Sequence, residues 1–394
     1  MLDIKRSLLA LIVVPAVVPV VMLAGCGAAP SGRPEAPAAS PRVSPPVPVP
    51  GLETACRDGV AAVSAGWSHS CALCTSGEVA CWGTNFLGNL GVPLPTERTT
   101  PAVIANLKGV KEVAAGSYHT CARLASGKVT CWGANNDGQL GDDTNATRLH
   151  PVMVADLDDA QQIDVGLGPG HACAVVRDGR IMCWGVNFNS QLGDGTMTNH
   201  PSPVTVAILD DATQVSTGAY HTCALRRSGK VACWGGKHGG RQTQPPPPVP
   251  REVGEISDAI QVAAGGEHAC ALRKTGTVAC WGMNGAGQLG DGTWNDHEAP
   301  IEVKGLGDAT SISSASNLTC AVLQDRTVRC WGANEHGQLG DGTTAASNVP
   351  VVVPGLSNVT AVTTGHRTSC AWTREGKVLC WGELDRATDE APPH

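Results

Sequence analysis

Cysteine and histidine are the residues of this chain best suited to chemistry, because they recur at a fixed spacing. Seven cysteines that begin a Cys-Trp-Gly tripeptide each have another cysteine ten residues earlier. In one copy His119 stands two residues before Cys121, and Cys131 is the later cysteine. Imidazole and thiolate are zinc ligands, whereas opposed thiols in an oxidising compartment form disulfides. The spacing is compatible with a metal site or with a disulfide.

The repeat favours the disulfide. Seven identical metal sites would be unusual, and Leu318 and Thr368 replace the histidine in two copies. A tight turn centred on residue 126 places Cys121 opposite Cys131 in a hairpin, where Cα atoms about 4.5 Å apart allow a disulfide. The predicted pairs are Cys71–Cys81, Cys121–Cys131, Cys173–Cys183, Cys223–Cys233, Cys270–Cys280, Cys320–Cys330 and Cys370–Cys380. Of the three remaining cysteines, Cys56 and Cys74 are expected to form an eighth pair, which leaves Cys26 single.

Other repeated residues suggest chemistry that their surroundings do not support. Gly-Gln-Leu-Gly segments are reminiscent of phosphate loops, but such loops precede a helix. The Asp-Gly-Thr that follows offers too few oxygen atoms for calcium. Turn glycines and a side chain that caps its own loop explain both patterns. The repeated histidines are interpreted as structural: His69, His119, His171, His221 and His268. No nucleophile stands at a diagnostic distance from a base, so the sequence predicts no catalytic residue, cofactor or metal.

The elements that must position these residues are short strands. Between 110 and 133 the sequence predicts three of them, and Pro151-Val152-Met153-Val154 supplies a fourth after a loop. The unit recurs at intervals of 47 to 52 residues, with no helical periodicity. Four short strands per unit predict an all-β protein in which small sheets are arranged radially in one domain.

The motifs of the repeat resemble those of the regulator of chromosome condensation family. Gly-x-x-His-x-x-Ala-Leu, Gly-x-Val-x-x-Trp-Gly-x-Asn and Gly-Gln-Leu-Gly-Asp-Gly-Thr occur in order, as in 116–142 and 265–293. The resemblance implies a seven-bladed β-propeller of four-stranded antiparallel blades, here over 51–382 with one disulfide per blade. The unit after Trp234 departs from the motif, so its loop is expected to be irregular. A strand from 43–49 is expected to close the ring, on either the first or the last blade.

The N-terminus has the features of an export signal. Lys5 and Arg6 precede an apolar run over 8–23, which is too short to span a bilayer as a helix. The segment 1–25 resembles a bacterial lipoprotein signal, which implies that Cys26 carries the lipid anchor. Residues 26–50 are rich in proline and alanine and are expected to form a tether, and 383–394 a polar tail. Gly27 after the lipidated residue points to the outer membrane of the cell envelope.

Rare aromatic residues mark a candidate binding face. Tyr118 and Tyr220, the two tyrosines of the chain, each precede the repeated histidine in the same loop, and Trp67 lies one position earlier in the first unit. Glu267 and Arg367 occupy this variable loop in other units. Loops on a constant scaffold and rigid aromatic side chains are typical of recognition surfaces. Alternatively, these side chains fill the central channel.

Three classes of function are compatible with the sequence. The first is a non-enzymatic module, expected to be a monomer, that binds an envelope or extracellular protein or a glycan. The second is guanine-nucleotide exchange, which the namesake of the repeat implies and which export disfavours. The third is an enzyme acting on envelope polysaccharide, for which no catalytic residues are found. A formal net charge of −7 disfavours a nucleic-acid partner.

Overall fold

The repeat folds into a ring of seven four-stranded antiparallel sheets. The computed structural model describes residues 45–93, 96–236 and 248–383. The predicted signal segment, Cys26, most of the tether, the irregular loop after Trp234 and all but the first residue of the polar tail lie outside these ranges. In the described part of the chain, no helix is long and apolar enough to cross a membrane.

Each blade is a meander of four strands. Blade 1 contains β2 (Val60–Ala65), β3 (His69–Cys74), β4 (Val79–Thr84) and β5 (Glu97–Val103); blade 2 contains β6 (Val110–Ala115), β7 (His119–Leu124), β8 (Val129–Gly133) and β9 (Arg148–Met153). Blade 3 contains β10 (Ala160–Val165), β11 (His171–Val176), β12 (Ile181–Gly185) and β13 (His200–Thr205); blade 4 contains β14 (Ala212–Thr217), β15 (His221–Arg226), β16 (Val231–Gly235) and β17 (Arg251–Glu252). Blade 5 contains β18 (Ala259–Ala264), β19 (His268–Arg273), β20 (Val278–Gly282) and β21 (His297–Glu302); blade 6 contains β22 (Ala309–Ala315), β23 (Leu318–Leu323), β24 (Val328–Gly332) and β25 (Ser347–Val352). Blade 7 contains β26 (Val359–Thr364), β27 (Thr368–Thr373), β28 (Val378–Gly382) and the N-terminal β1 (Val47–Pro48).

The ring closes on the last blade. Strand β1 pairs with β28, so the first strand of the chain is the outer strand of blade 7. The short helix α1 (Leu52–Ala55) follows and buries Leu52. Cys56, next along the chain, forms a disulfide with Cys74 of blade 1. The sequence left open which blade the closing strand completes, and the pairing of β1 answers it.

Every blade also has its own disulfide, as predicted. The two cysteines of each pair are directly opposite in the register of the second and third strands, as with Cys121 and Cys131. Their Cα atoms are 4.0 to 4.1 Å apart. The distance is close to that of opposed residues at a non-hydrogen-bonded site, so ordinary strand pairing brings the thiols together.

The tryptophans of Cys-Trp-Gly fill the spaces between blades. Trp82 is 9% exposed and the other six at most 1%. Trp184 packs in one apolar cluster with Leu140 and Val154 of the preceding blade. In five blades the indole Nε1 also donates to a main-chain oxygen of the preceding blade: Trp132 to Asn89 (3.0 Å), Trp184 to Gln139 (3.0 Å), Trp234 to Gln191 (2.9 Å), Trp331 to Gln288 (2.9 Å) and Trp381 to Gln338 (2.9 Å). The same side chain thus fills the core between two blades and forms a hydrogen bond that joins them.

Polar side chains join the inner strands around the central channel. Gln162 Oε1 accepts a hydrogen bond from Val215 N (2.8 Å), and Gln162 Nε2 donates to Val215 O (3.1 Å). Gln214 bonds Val262 in the same way, and Gln261 bonds Ile312. The side-chain amide therefore replaces the strand pairing that is missing between neighbouring blades.

One turn between blades, at the end of the ring that also carries the tight hairpin turns between second and third strands, contains an unfavourable residue. Ile208 has φ 56° and is 80% exposed, whereas Asn106 and Asp156 occupy the same turn position in blades 1 and 2. A left-handed backbone costs a β-branched residue about 1–2 kcal/mol. We expect Ile208→Asn to raise the free energy of unfolding by about 1 kcal/mol in urea titrations. The reverse change, Asn106→Ile, should lower it, and a destabilised Ile208→Asn variant would contradict this assignment.

Candidate functional site

Two sets of loops meet at one end of the ring. Because each blade is an antiparallel meander, the loop between its first and second strands and the loop between its third and fourth strands lie at the same end. We call these the inner and outer loops, and the end that they form the loop face. The inner loops are 66–68, 116–118, 166–170, 218–220, 265–267, 316–317 and 365–367; the outer loops of blades 1, 2, 3, 5 and 6 span 85–96, 134–147, 186–199, 283–296 and 333–346.

All five candidate residues of the sequence analysis lie in inner loops, on blades 1, 2, 4, 5 and 7. The set is Trp67, Tyr118, Tyr220, Glu267 and Arg367. Each of the five side chains is partly exposed. They are therefore partly accessible to solvent at the loop face.

The inner loops are held in place by hydrogen bonds between blades. Trp67 N donates to Gly116 O (3.1 Å), and His366 N donates to Gly66 O (3.2 Å). Gly168 N donates to Ser117 Oγ at 2.8 Å. Main-chain bonds of this kind fix a loop more firmly than side-chain packing alone, because they restrain φ and ψ. The loop face is accordingly a preorganised surface.

A stacked pair bridges the point where the ring closes. The rings of Trp67 and His366 are parallel, with centroids 3.6 Å apart. Burial lowers the pKa of His366 to about 4, with smaller effects from Arg367 and His336, so the stacked imidazole is neutral. Arg367 Nη1 and His336 Nδ1 both contact Glu383 Oε2, at 3.2 and 2.8 Å. Blades 1 and 7 thus meet through an aromatic stack beside an ionic cluster.

The charge of Arg367 also acts on a second candidate residue. Burial raises the pKa of Tyr118, and the nearby guanidinium of Arg367 partly offsets this effect. The Tyr118 hydroxyl is therefore a neutral donor and acceptor at physiological pH.

All five repeated histidines are buried, and three of them make a hydrogen bond to the next blade. His69 Nε2 lies 2.8 Å from Thr120 Oγ1 of the next blade, and Thr120 Oγ1 donates to Asn89 O. His69 Nε2 must therefore carry the proton. Burial lowers the pKa of His69 to about 3, with a smaller effect from His119. His171 and His268 make the same contact with the next blade, which supports the structural interpretation for these three.

The Asp-Gly-Thr segments are held by bonds within their own loops. Asp142 Oδ1 accepts hydrogen bonds from Thr144 Oγ1 (2.7 Å) and Asn135 Nδ2 (3.0 Å). Burial acts to raise the pKa of Asp142, but bonds from Thr144, Arg148 and Asn135 outweigh it, and the pKa is lowered. Among residues 45–93, 96–236 and 248–383, no group of three or more histidine, cysteine or carboxylate side chains is arranged to hold a metal ion.

Three further aromatic side chains on the loop face were missed by the sequence analysis. Phe86, Phe188 and Trp294 lie in outer loops and are 52%, 59% and 49% exposed. Outside the Cys-Trp-Gly motif the chain has seven aromatic residues, and six of them are on the loop face. The exception is Trp372, in strand β27. The signal was present in the sequence, since both phenylalanines follow Trp-Gly-x-Asn.

The channel contains a carboxyl group with an altered pKa. Asp164 Oδ2 accepts a hydrogen bond from Thr217 N at 2.7 Å. Burial raises the pKa of Asp164 to about 6, although hydrogen bonds from Thr217, Val165 and Ser216 oppose the shift. In the unfolded chain the pKa returns to about 3.9.

The pKa of Asp164 is higher in the folded protein than in the unfolded chain. Protonated Asp164 therefore contributes to stability below about pH 4, and this contribution is lost as the pH rises through 6. Between pH 4 and 7 the free energy of unfolding of the wild type should therefore fall by on the order of 2 kcal/mol relative to that of the Asp164→Asn variant. Urea titrations of both proteins across this range test it. Parallel stability curves would show that Asp164 ionises normally.

The blade count, the pairing order and the central channel define the protein as a seven-bladed β-propeller. Two family profiles, both described as the regulator of chromosome condensation (RCC1) repeat, match it. One covers 60–89, 110–139, 162–191, 259–288 and 309–338, and the other 76–123, 126–175, 178–225, 275–322 and 327–372. The chain therefore belongs to the family of RCC1-repeat proteins. Both profiles leave 226–258 unmatched, where blade 4 lacks Gly-Gln-Leu-Gly.

Solved structures share this fold at low sequence identity. Human WBSCR16 superposes with a TM-score of 0.70 at 19% identity, covering 82% of this chain and 86% of its own. Yeast RCC1 (Prp20), solved bound to Kap60, gives 0.69 at 20% identity, covering 82% and 80%. The ectodomain of the Physcomitrella patens receptor kinase CR4 gives 0.51 at 20% identity, covering 82% and 74%. No curated protein matches in sequence.

Proposed function

We propose that this protein is a non-enzymatic binding module that is displayed on the bacterial cell envelope and holds a protein partner on its loop face. The observation that carries the proposal is the placement of six of the seven aromatic residues outside Cys-Trp-Gly on that face. Aromatic side chains lose little conformational entropy on binding and bury large areas, so they anchor many protein interfaces. The ring behind them is a rigid scaffold that leaves these loops free to vary.

The compartment follows from the cysteines. Eight disulfides indicate an oxidising location, extracellular or exported. Within the proposal, lipidated Cys26 anchors the chain in the envelope, at the outer membrane, and 26–50 holds the ring away from the lipid. Strand β1 (Val47–Pro48), which lies near the end of this segment, pairs at the outer edge of blade 7.

A protein of the same fold is known to bind protein partners. Yeast Prp20 has been solved bound to Kap60, and it has also been studied for its binding to Gsp1p and histones. Propellers of this fold therefore bind proteins, and we extend that general property to this chain. Neither guanine-nucleotide exchange nor hydrolysis of polysaccharide is favoured by an observation on the described residues. A glycan partner is less well supported, because loop amides such as Asn135 and Asn187 already donate within their own loops.

The test is a capture experiment on envelope extracts. Oxidised full chain and its triple variant Trp67→Ala, Tyr118→Ala, Tyr220→Ala are each cross-linked to an extract, and the captured proteins are compared by mass spectrometry. We expect at least one protein that wild type captures and the triple variant does not. A glycan array probed with the same two proteins separates the alternatives. Binding of a glycan that depends on these three residues, without a captured protein, would overturn the protein-binding proposal.

A further inference from the structure

The chain has two phenylalanines and two tyrosines, and they occur as two matched sets. Phe86 and Phe188 follow Trp-Gly-x-Asn in the outer loops of blades 1 and 3, and Tyr118 and Tyr220 lie in the inner loops of blades 2 and 4. Thirty-two residues separate the phenylalanine from the tyrosine in both sets. In both sets the outer loop of one blade is therefore combined with the inner loop of the next.

The packing of the ring brings these two loops together. Asn89 O, in the loop of Phe86, accepts hydrogen bonds from Thr120 Oγ1 (2.9 Å) and Trp132 Nε1 (3.0 Å) of blade 2. Gln191 O, in the loop of Phe188, makes the same two bonds to Thr222 (2.8 Å) and Trp234 (2.9 Å) of blade 4. The outer loops are therefore docked on the next blades in equivalent positions.

At the boundary of blades 3 and 4 the contact can be located more closely. The Cβ atoms of Asn189, next to Phe188, and of Tyr220 both lie 3.1 Å from the position that a Cβ on Gly236 would take. We call the surroundings of Phe86 and Tyr118 site A, and those of Phe188 and Tyr220 site B.

Site A is bordered by exposed apolar side chains, and the outer loop that contributes to site B carries another one. At site A, Leu87 is 36% exposed and Leu149 is 49% exposed, and the main chain of Gly88 lies against Leu149. At site B, Met197 of the same outer loop is 54% exposed. Exposed aromatic and aliphatic side chains in one place mark an interaction surface more clearly than single exposed residues do.

The loop face has a strong charge imbalance. Among the described residues of the inner and outer loops, Arg367 is the one lysine or arginine. The same loops carry nine carboxylates: Asp137, Asp142, Asp143, Asp194, Glu267, Asp291, Asp296, Glu335 and Asp341. Hydrogen bonds lower the pKa of Asp142, Asp194 and Asp291, so these three carboxylates are ionised, and Arg148 pairs with Asp142 at 2.8 Å. A partner that complements this face carries positive charge.

From these observations we infer that sites A and B are two equivalent subsites for one polypeptide segment that presents lysine or arginine next to apolar side chains. Apolar groups pack on the phenylalanine and tyrosine rings, and cationic groups lie over ring faces. The loops of site A contain no carboxylate, so the complementary negative charge there comes from the next outer loop, that of blade 2, with Asp137 and Asp143. Engaging two subsites on one rigid ring adds the second contact at a high effective concentration. The inference rests on the proposed protein-binding function and adds the chemistry of the partner.

A random library of displayed 12-residue peptides tests the inference even before the partner is identified. The library is selected on the immobilised, oxidised full chain. Selected peptides are then titrated against wild type, Phe86→Ala, Phe188→Ala and the double variant. Asn136→Ala, the exposed residue at the same loop position in blade 2, is the matched control. Both phenylalanines are largely exposed, so thermal unfolding should confirm that every variant keeps its fold.

We expect selected peptides to be enriched in lysine or arginine together with apolar residues. Each single variant should weaken binding about 5-fold, the double variant at least 20-fold, and Asn136→Ala less than 2-fold. Affinity should also fall as salt is raised. An acidic or uncharged consensus, a failure to select any peptide, or equal binding to wild type and the double variant would overturn the inference.

The two proposals fail in different ways. If the triple variant of Trp67, Tyr118 and Tyr220 still captures every envelope protein, the proposed function is wrong. If that capture is lost but the Phe86→Ala, Phe188→Ala double variant binds the captured protein as tightly as wild type, the two-subsite inference alone is wrong.

Discussion

Replacing Trp184 with alanine is expected to lower the free energy of unfolding by about 4 kcal/mol, the typical cost of removing a fully buried tryptophan from a core. The side chain is fully buried between blades 2 and 3, within the apolar cluster of Leu140 and Val154. Its Nε1 also donates to Gln139 O at 3.0 Å, so the substitution leaves a buried carbonyl without its donor. Denaturant titration under oxidising conditions measures the change.

The hydrogen bond and the packing can be separated by a matched pair of phenylalanine variants. Trp281, in blade 5, is as buried as Trp184, but within the described chain its Nε1 has no hydrogen-bond partner. The preceding blade 4 lacks the Gly-Gln-Leu-Gly loop whose carbonyl accepts that bond elsewhere. Trp184→Phe should therefore cost about 1 kcal/mol more than Trp281→Phe. Equal losses would show that the indole hydrogen bond contributes nothing to stability.

The second large effect is expected from a blade disulfide. Replacing both Cys121 and Cys131 with alanine should lower the free energy of unfolding by about 3 kcal/mol, because the unfolded chain regains the entropy of a loop closed over ten residues. Both cysteines are fully buried, so any lost packing adds to this cost. Thermal unfolding of the variant and of wild type with and without reductant gives the comparison.

The reductant supplies the control for this prediction. Reduced wild type should be less stable than the double variant, since it loses all eight disulfides rather than one. Equal midpoints for oxidised wild type and the double variant would contradict a stabilising role. A count of many free thiols in denatured, unreduced protein would contradict the disulfides themselves.

Features that depend on local register were predictable from the sequence. Cys121 and Cys131 belong to one hairpin, so the turn between them fixes their pairing. The tryptophans of Cys-Trp-Gly recur in every unit, which is typical of core residues, and all seven are buried. Each such feature recurs in several copies of the repeat, so the prediction for one unit is strengthened by the same pattern in the others.

Features that depend on contacts between different units of the repeat could not be predicted. The pairing of β1 with β28 joins the two ends of the ring, and so does the stack of Trp67 on His366. Phe86 and Phe188 occupy equivalent positions in the repeat, but their exposure depends on how each outer loop docks on the next blade. The periodicity of the sequence does not indicate which residues of different units come into contact.

The proposal that the loop face is the binding surface is tested most directly by the affinity of the protein and its variants for a partner. The captured envelope protein is titrated by calorimetry against wild type, against the Trp67→Ala, Tyr118→Ala, Tyr220→Ala variant, and against Ile208→Asn. Ile208 lies at the opposite end of the ring and is 80% exposed, so its variant is the control. We predict at least 30-fold weaker binding for the triple variant, the cost of several interface aromatics, and unchanged binding for Ile208→Asn. Affinities within 2-fold of wild type for the triple variant, or a large loss for Ile208→Asn, would contradict the assignment of the binding surface.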